Sequence, residues 1–175
     1  MPLITTPQRF SRALTLVAIV LAAGCADSTR PRDVPEVALT VTLSSPTGNP
    51  SAPISFGATA RNVGTMQLWR CQGCGCGNGL GVYVLGPDGK NVVLHDNPFP
   101  LDCPDGQVAF ERDASVQSSD AFTGVLYDLN GSVYPAPTYE APPGTYTVVA
   151  RFSYATQQWG EPVVVERRST FTWAP

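Results

Sequence analysis

The chain has 175 residues, a formal net charge of −3 and only 14% charged residues, with 16 glycines and 17 prolines. So weak an acidic balance offers nothing to a phosphate backbone, which argues against nucleic acid as a partner. Apolar residues stand at 43%, enough for one domain with a real core and too many for a low-complexity chain.

Residues 1–12 carry Arg9 and Arg12 and no acid, and residues 13–23 then run apolar. A basic stretch followed by an apolar run of this length is the pattern of a secretory signal. It is too short for an ordinary spanning helix, which needs about 20 apolar residues. The run closes on Leu21, Ala22, Ala23, Gly24 and Cys25. A plain secretory signal is the simpler alternative, but it would leave a thiol at the new terminus in an oxidising space. The segment resembles the lipobox of bacterial lipoproteins, with Ala22 three positions before the cysteine and Leu21 one step further back. That resemblance implies removal of residues 1–24, a thioether-linked lipid on Cys25 and a membrane held through that anchor. Each buried methylene contributes roughly 0.8 kcal/mol, so two or three acyl chains hold firmly where one does not. In the lipoproteins it resembles, Asp directly after the cysteine holds the protein at the inner membrane; here Ala26 takes that place and Asp27 comes one later, so the resemblance implies the outer membrane, facing periplasm or surface, in a two-membrane host. Without Arg9 and Arg12 the mature chain has nine basic and fourteen acidic residues, a net charge of −5.

Residues 26–36 hold two prolines and several charges and read as a flexible stalk. From Val37 the pattern has period two. Val37, Leu39, Val41 and Leu43 alternate with Ala38, Thr40 and Thr42, and Ile54, Phe56, Ala58 and Ala60 alternate with Ser55, Gly57, Thr59 and Arg61. These are two half-buried strands, with residues 46–50 a loop between them. Asn62 and Gly64 end the second strand, since both tolerate left-handed turns. Further strands are expected over 66–70 and 81–85, with a turn at 86–90 that contains Gly89 and a return over 92–95. Weaker strand patterns cover 108–111 and 121–129. The clearest strand runs over 145–154, with Tyr146, Val148, Ala150, Phe152 and Tyr154 on one face, and 163–172 supplies the last. No amphipathic helical period is present. The expected fold is therefore an antiparallel β-sandwich of about eight or nine strands over residues 37–175.

Three stretches together resemble the immunoglobulin-like BsuPI-like family, named after an intracellular proteinase inhibitor of Bacillus. They are residues 54–64 ending in Asn62, Val63 and Gly64, residues 82–90 with their Asp88, Gly89 and Lys90 turn, and residues 143–147 with Gly144 and Tyr146. The resemblance covers about residues 52–154. It implies an immunoglobulin-like sandwich and, more remotely, proteinase inhibition, though no inhibitory residue can be carried over. Independently of the family, Gly144 suits a positive φ at a turn. Tyr146 could act as a tyrosine corner or as an ordinary core residue.

With Cys25 lipidated, Cys71, Cys74, Cys76 and Cys103 remain. An even count in an oxidising space favours two disulfides, one joining the 71–76 cluster to Cys103 and one within the cluster. A bridge across roughly 30 residues would stabilise by about 3–4 kcal/mol in the loop-entropy account. The sharper alternative is a four-thiolate zinc site on the Cys71–Cys74 spacing, but the second knuckle is missing. His95, the only histidine, has no nucleophile motif around it and reads as structural. Asp96, Asp102 and Asp105 do not have calcium-loop spacing. Glu111 and Asp113 read as a solvated strand end. Trp69, Trp159 and Trp173 could form a surface or fill a core. The sequence thus points to a non-enzymatic, lipid-anchored domain without cofactor or metal, binding a protein or envelope component. Loops 71–79 and 96–106 are its candidate recognition segments. Proteinase inhibition and zinc binding are the alternatives.

Overall fold

The computed structural model describes residues 36–72, 79–96, 106–130 and 135–174, all within the unit Asp33–Pro175. Cys25, residues 1–24, nearly all of the stalk, Cys74, Cys76, Cys103, Asp102 and Asp105 lie outside them. Among the described residues every regular element is a strand. They are β1 (Val37–Leu43), β2 (Thr47–Gly48), β3 (Ile54–Asn62), β4 (Leu68–Gln72), β5 (Leu80–Leu85), β6 (Asn91–Val92), β7 (Gly106–Phe110), β8 (Ser115–Phe122), β9 (Val125–Tyr127), β10 (Thr138–Glu140), β11 (Gly144–Ala155) and β12 (Val163–Trp173). Eight of these are five residues or longer, and the other four are two or three residues.

The strands form an all-β sandwich. One sheet has the order β1-β3-β8, antiparallel throughout. The other is built on β11. Along one edge β11 pairs with β12 over its whole length, and β12 takes β2 in parallel at Thr172 and Trp173. The other edge of β11 is shared in sequence: β5 covers Thr147–Phe152, then β4 takes over at Tyr154 and Ala155. β6 continues from β5, and β7 from β4. β9 and β10 form a separate two-stranded ribbon.

Alternation builds the core, because successive side chains of a strand point to opposite faces. Ile54, Phe56, Ala58 and Ala60 are all buried, as are Tyr146, Val148, Ala150, Phe152 and Tyr154. Two clusters fill the interior. One gathers Leu39, Ala60, Leu68, Phe110, Phe152 and Tyr154, with Val37 and Val165 packed against it. The other gathers Phe56, Phe122, Tyr146, Val148, Phe171 and Trp173, with Leu43 beside it. Phe122 is the hub of the second, with ring centroids 4.6 Å from Tyr146, 5.1 Å from Phe171 and 4.9 Å from Trp173. Val149, on the outer face of β11, is also fully buried. Its cross-strand neighbours there are Tyr83 and Arg168, long enough to cover it.

Several sequence expectations shift. The strand expected over 66–70 begins at Leu68, and the segment 121–129 is two strands broken at Gly124. Gly124 has φ 83°, and a Cβ there would stand 2.2 Å from Trp173 Cζ2. The chain turns there because only glycine lets the backbone lie flat on that indole. The loop at 46–50 contributes β2, and Ser115–Asp120 joins β8 despite its polar composition. Asn62 and Gly64 do not work through left-handed backbone, since neither is among the positive-φ residues. Asn62 works through its side chain. It is fully buried, its Nδ2 donates to the carbonyls of Met66 and Phe110 at 2.9 Å each, and its Oδ1 accepts from the Gly64 N–H at 3.1 Å. The last bond is an Asx-turn, which replaces the turn that backbone φ was expected to make.

Candidate functional site

The strongest local architecture lies where β4, β7 and the β11–β12 connection meet. Register places Trp69 opposite both Ala109 and Ala155, and Cys71 opposite Gln107. Directly opposed residues share a face, so Trp69, Cys71 and Gln107 all stand on the outer face of the larger sheet. The chain leaves β11 at Ala155 and turns through Gln157–Gly160, with the Gly160 N–H donating to the Gln157 carbonyl at 3.0 Å. Trp159 sits in that turn with φ 62°. A bulky side chain in the left-handed region is an uncommon, strained choice. The Trp159 N–H is tied to Gln107 Oε1 on β7, which holds the turn over the sheet. The result is an open groove of about 330 Å³, walled by Trp69, Cys71, Gln107, Trp159 and Pro162.

The groove joins the two segments singled out in the sequence. Gln72, the last residue of β4, is paired with Gly106, the first residue of β7. Loop 71–79 and loop 96–106 therefore spring from adjacent positions on the sheet. Gly79 returns beside them, its carbonyl accepting from the Ser153 N–H at 3.1 Å. Cys71 is disulfide-bonded, and the other cysteines lie outside the described residues.

The groove's chemistry is that of contact. Aromatic faces, an amide and small residues line it. Tyr154 is the ionisable side chain of the adjoining core, and burial raises its phenol above the ordinary range. The remaining sequence candidates are dispersed. His95 Nε2 lies 2.7 Å from both carboxylate oxygens of Asp120 on β8, in the other sheet, and Asp120 Oδ1 also accepts from the Ala121 N–H. That pairing clamps the chain after β6 onto β8. Asp96 Oδ1 accepts from the Ala136 N–H at 3.3 Å and so pins a crossing loop. Glu111 and Asp113 belong to an exposed turn, where Asp113 pairs with Arg61 at 2.8 Å. Trp173 is core, whereas Trp159 is 71% exposed. Among the described residues no group of three or more histidines, cysteines or acids could hold a metal ion.

The structural residues fall elsewhere. Gly89 has φ 76° and closes the β5–β6 hairpin behind Pro87 and Asp88. Gly144 opens β11 against Pro87, whose Cγ would be 2.6 Å from any added Cβ. The Tyr146 hydroxyl donates to the Pro142 carbonyl at 2.8 Å, four residues upstream. Burial, then the neighbouring Tyr139 and Asp88, raise the Tyr146 phenol above its ordinary value. Sequence reasoning missed the His95–Asp120 and Trp159–Gln107 contacts. The first joins residues 25 apart and the second residues 52 apart, with no local pattern to announce either.

No protein-family model matches the chain, and no curated protein matches it. Among solved structures it is similar to a β-glucosidase, EmGH1, from Erythrobacter marinus, at 8% identity and a TM-score of 0.41, covering 80% of this chain and 16% of that one. It is likewise similar to a β-glucosidase from Listeria innocua in complex with glucose, at 13% identity and a TM-score of 0.36, covering 81% and 16%. The chain thus spans about a sixth of the length of these enzymes.

Proposed function

We propose that this chain is a lipid-anchored recognition domain of the cell envelope, held to the membrane through Cys25, with the groove between Trp69 and Trp159 as its binding surface. The observation that carries the binding role is the paired origin of the two loops at Gln72 and Gly106 beside that groove. A rigid sheet presenting irregular loops at one place is the usual arrangement for recognition. The groove offers stacking and amide contacts, and the only histidine is engaged in the opposite sheet, so the domain is read as non-enzymatic. The immunoglobulin-like type is proposed with it. The parallel β2–β12 pair and the Tyr146–Pro142 bond support that type, because a tyrosine corner closes such folds at the same point.

The Cys71 disulfide supports an oxidising location. Within the proposal its partner is a cysteine of the 71–76 cluster or Cys103, which would tie one recognition loop to itself or to the other. A photoreactive amino acid at Pro162, an exposed wall of the groove, with Thr40 on the exposed face of β1 as the control, tests the binding surface in living cells. Adducts from position 162 and none from position 40 are expected. Equal labelling from both positions would sink the assignment.

A further inference from the structure

We propose that the tip of the β11–β12 hairpin docks into the interfacial layer of the membrane that carries the anchor, with Trp159 as the inserted side chain. The inference rests on the lipid-anchor reading of Cys25 and adds a second, non-covalent contact with the same membrane.

Exposure is the first observation. Trp159 is 71% exposed, and Val163 and Val164 just after it are 42% and 46% exposed. Successive strand residues point to opposite faces, so the two valines flank both sides of the start of β12. A flat protein partner would cover one of those faces. A fluid interface wraps both. Tryptophan is the residue that settles best at headgroup level, with its apolar rings inward and its N–H toward water.

Presentation is the second. Trp159 occupies a left-handed turn position that glycine would fill without strain. Backbone strain of this kind persists where the surroundings impose it, as the tie to Gln107 does here. The turn therefore holds the indole outward and is not a mobile tip that happens to contain it.

Direction is the third. Val37 packs in the same core cluster as Phe152 and Tyr154, and Leu43 packs in the other, so β1 begins at the end of the sandwich where β11 finishes. Glu36 and Trp159 thus leave the sandwich at the same end, and exposed Val63 is there too, its N–H bonded to the Glu36 carbonyl at 3.0 Å. Ten residues lie between Cys25 and Glu36, and the eleven steps span at most about 40 Å when fully extended. A tether attached at that end keeps the Trp159 side within reach of the membrane. The exposed charges of that end are mixed, Glu36 and Glu161 beside Arg61, Arg112 and Asp113, so nothing there selects an anionic surface and the fitting one is zwitterionic.

The test uses the mature, acylated protein reconstituted into phosphatidylcholine–phosphatidylethanolamine vesicles, with and without lipids brominated near the headgroup. Co-flotation reports the anchor, and tryptophan quenching reports the docking. Brominated lipid is expected to quench roughly a third of the emission, the share of one tryptophan in three. Trp159→Gly removes the ring and relieves the turn, so loss of quenching in that variant cannot come from unfolding. Protein that fails to float removes the anchor and the docking together. Protein that floats with unquenched emission, or that is quenched equally in Trp159→Gly, overturns the docking alone.

Discussion

Asn62 shows how much one buried polar side chain can organise. Its amide reaches the end of β3, the following turn and the last carbonyl of β7, and all three bonds are made inside the sandwich. Among the described residues no buried side-chain nitrogen or oxygen lacks a partner. Asn62→Ala would strand two carbonyls in a dry site, each costing about 1–3 kcal/mol if left unpaired, while the Gly64 N–H keeps its second acceptor, the Glu36 carbonyl at 3.1 Å. Partial rehydration reduces the sum, and a loss of about 2–4 kcal/mol is expected, read as a lower urea midpoint with unchanged slope. Tyr146 carries a different signature. Its phenol is raised above 10.0 in the folded chain, chiefly by burial, whereas the unfolded chain titrates near the ordinary value. A group with a raised folded pKa contributes fully below the unfolded pKa and loses its contribution as pH climbs through the folded one. Stability should therefore be flat through neutrality and fall above about pH 10. Tyr146→Phe should lower the plateau by about 1 kcal/mol through the lost Pro142 bond, and soften the alkaline decline. An alkaline decline that is equally steep in the variant would assign it to Tyr154 or to other groups.

The strands legible in the sequence were those whose side chains state their own orientation. In β1 and β3 apolar and polar residues alternate and burial follows that alternation, and β11 does the same apart from Val149 and Ala155, which are buried on its outer face. β8 was hard to read because Ser115–Asp120 contains one apolar residue, Val116, and owes its place to a long ladder with β3. Its sheet membership is a tertiary fact, and local propensity could not disclose it. β2 and β10 are too short to show any period. The groove was half legible. Loops 71–79 and 96–106 stood out by their cysteines, prolines and acids, but their common origin depends on the register of β4 with β7, which no local pattern encodes. What holds β8 is Phe122 at its end, in contact with three other rings. Phe122→Ala is expected to cost about 3–5 kcal/mol, as for large aromatic truncations in a core. Ser119→Ala on the same strand, exposed and on the opposite face from Phe122, should stay within about 0.5 kcal/mol, because its contribution is backbone pairing. Thermal unfolding of the two variants side by side checks the contrast. Comparable losses would mean that the polar face of β8 packs more closely than its composition suggests.

At the scale of the whole molecule, the larger sheet has one edge that needs support. β4 pairs with β11 at only two positions before β5 replaces it, and it depends on β7 for the rest. The groove and both loop origins rest on this thinly paired corner, and Cys71 lies within it. A covalent tie there constrains the unfolded chain and keeps β4 seated where the hydrogen-bond ladder is short. Cys71→Ser is accordingly expected to lower stability by about 2–4 kcal/mol, the usual range for loss of a native disulfide. The far-ultraviolet β signal should persist, since Cys71 stands on the outer face of the sheet while both hydrophobic clusters fill the inner side. Reductant supplies the internal control. It should lower the denaturation midpoint of the native protein toward that of Cys71→Ser, and lower the variant's own midpoint much less. Full reduction without any change in the native midpoint would mean that the bond lies slack and that the corner is held by packing alone.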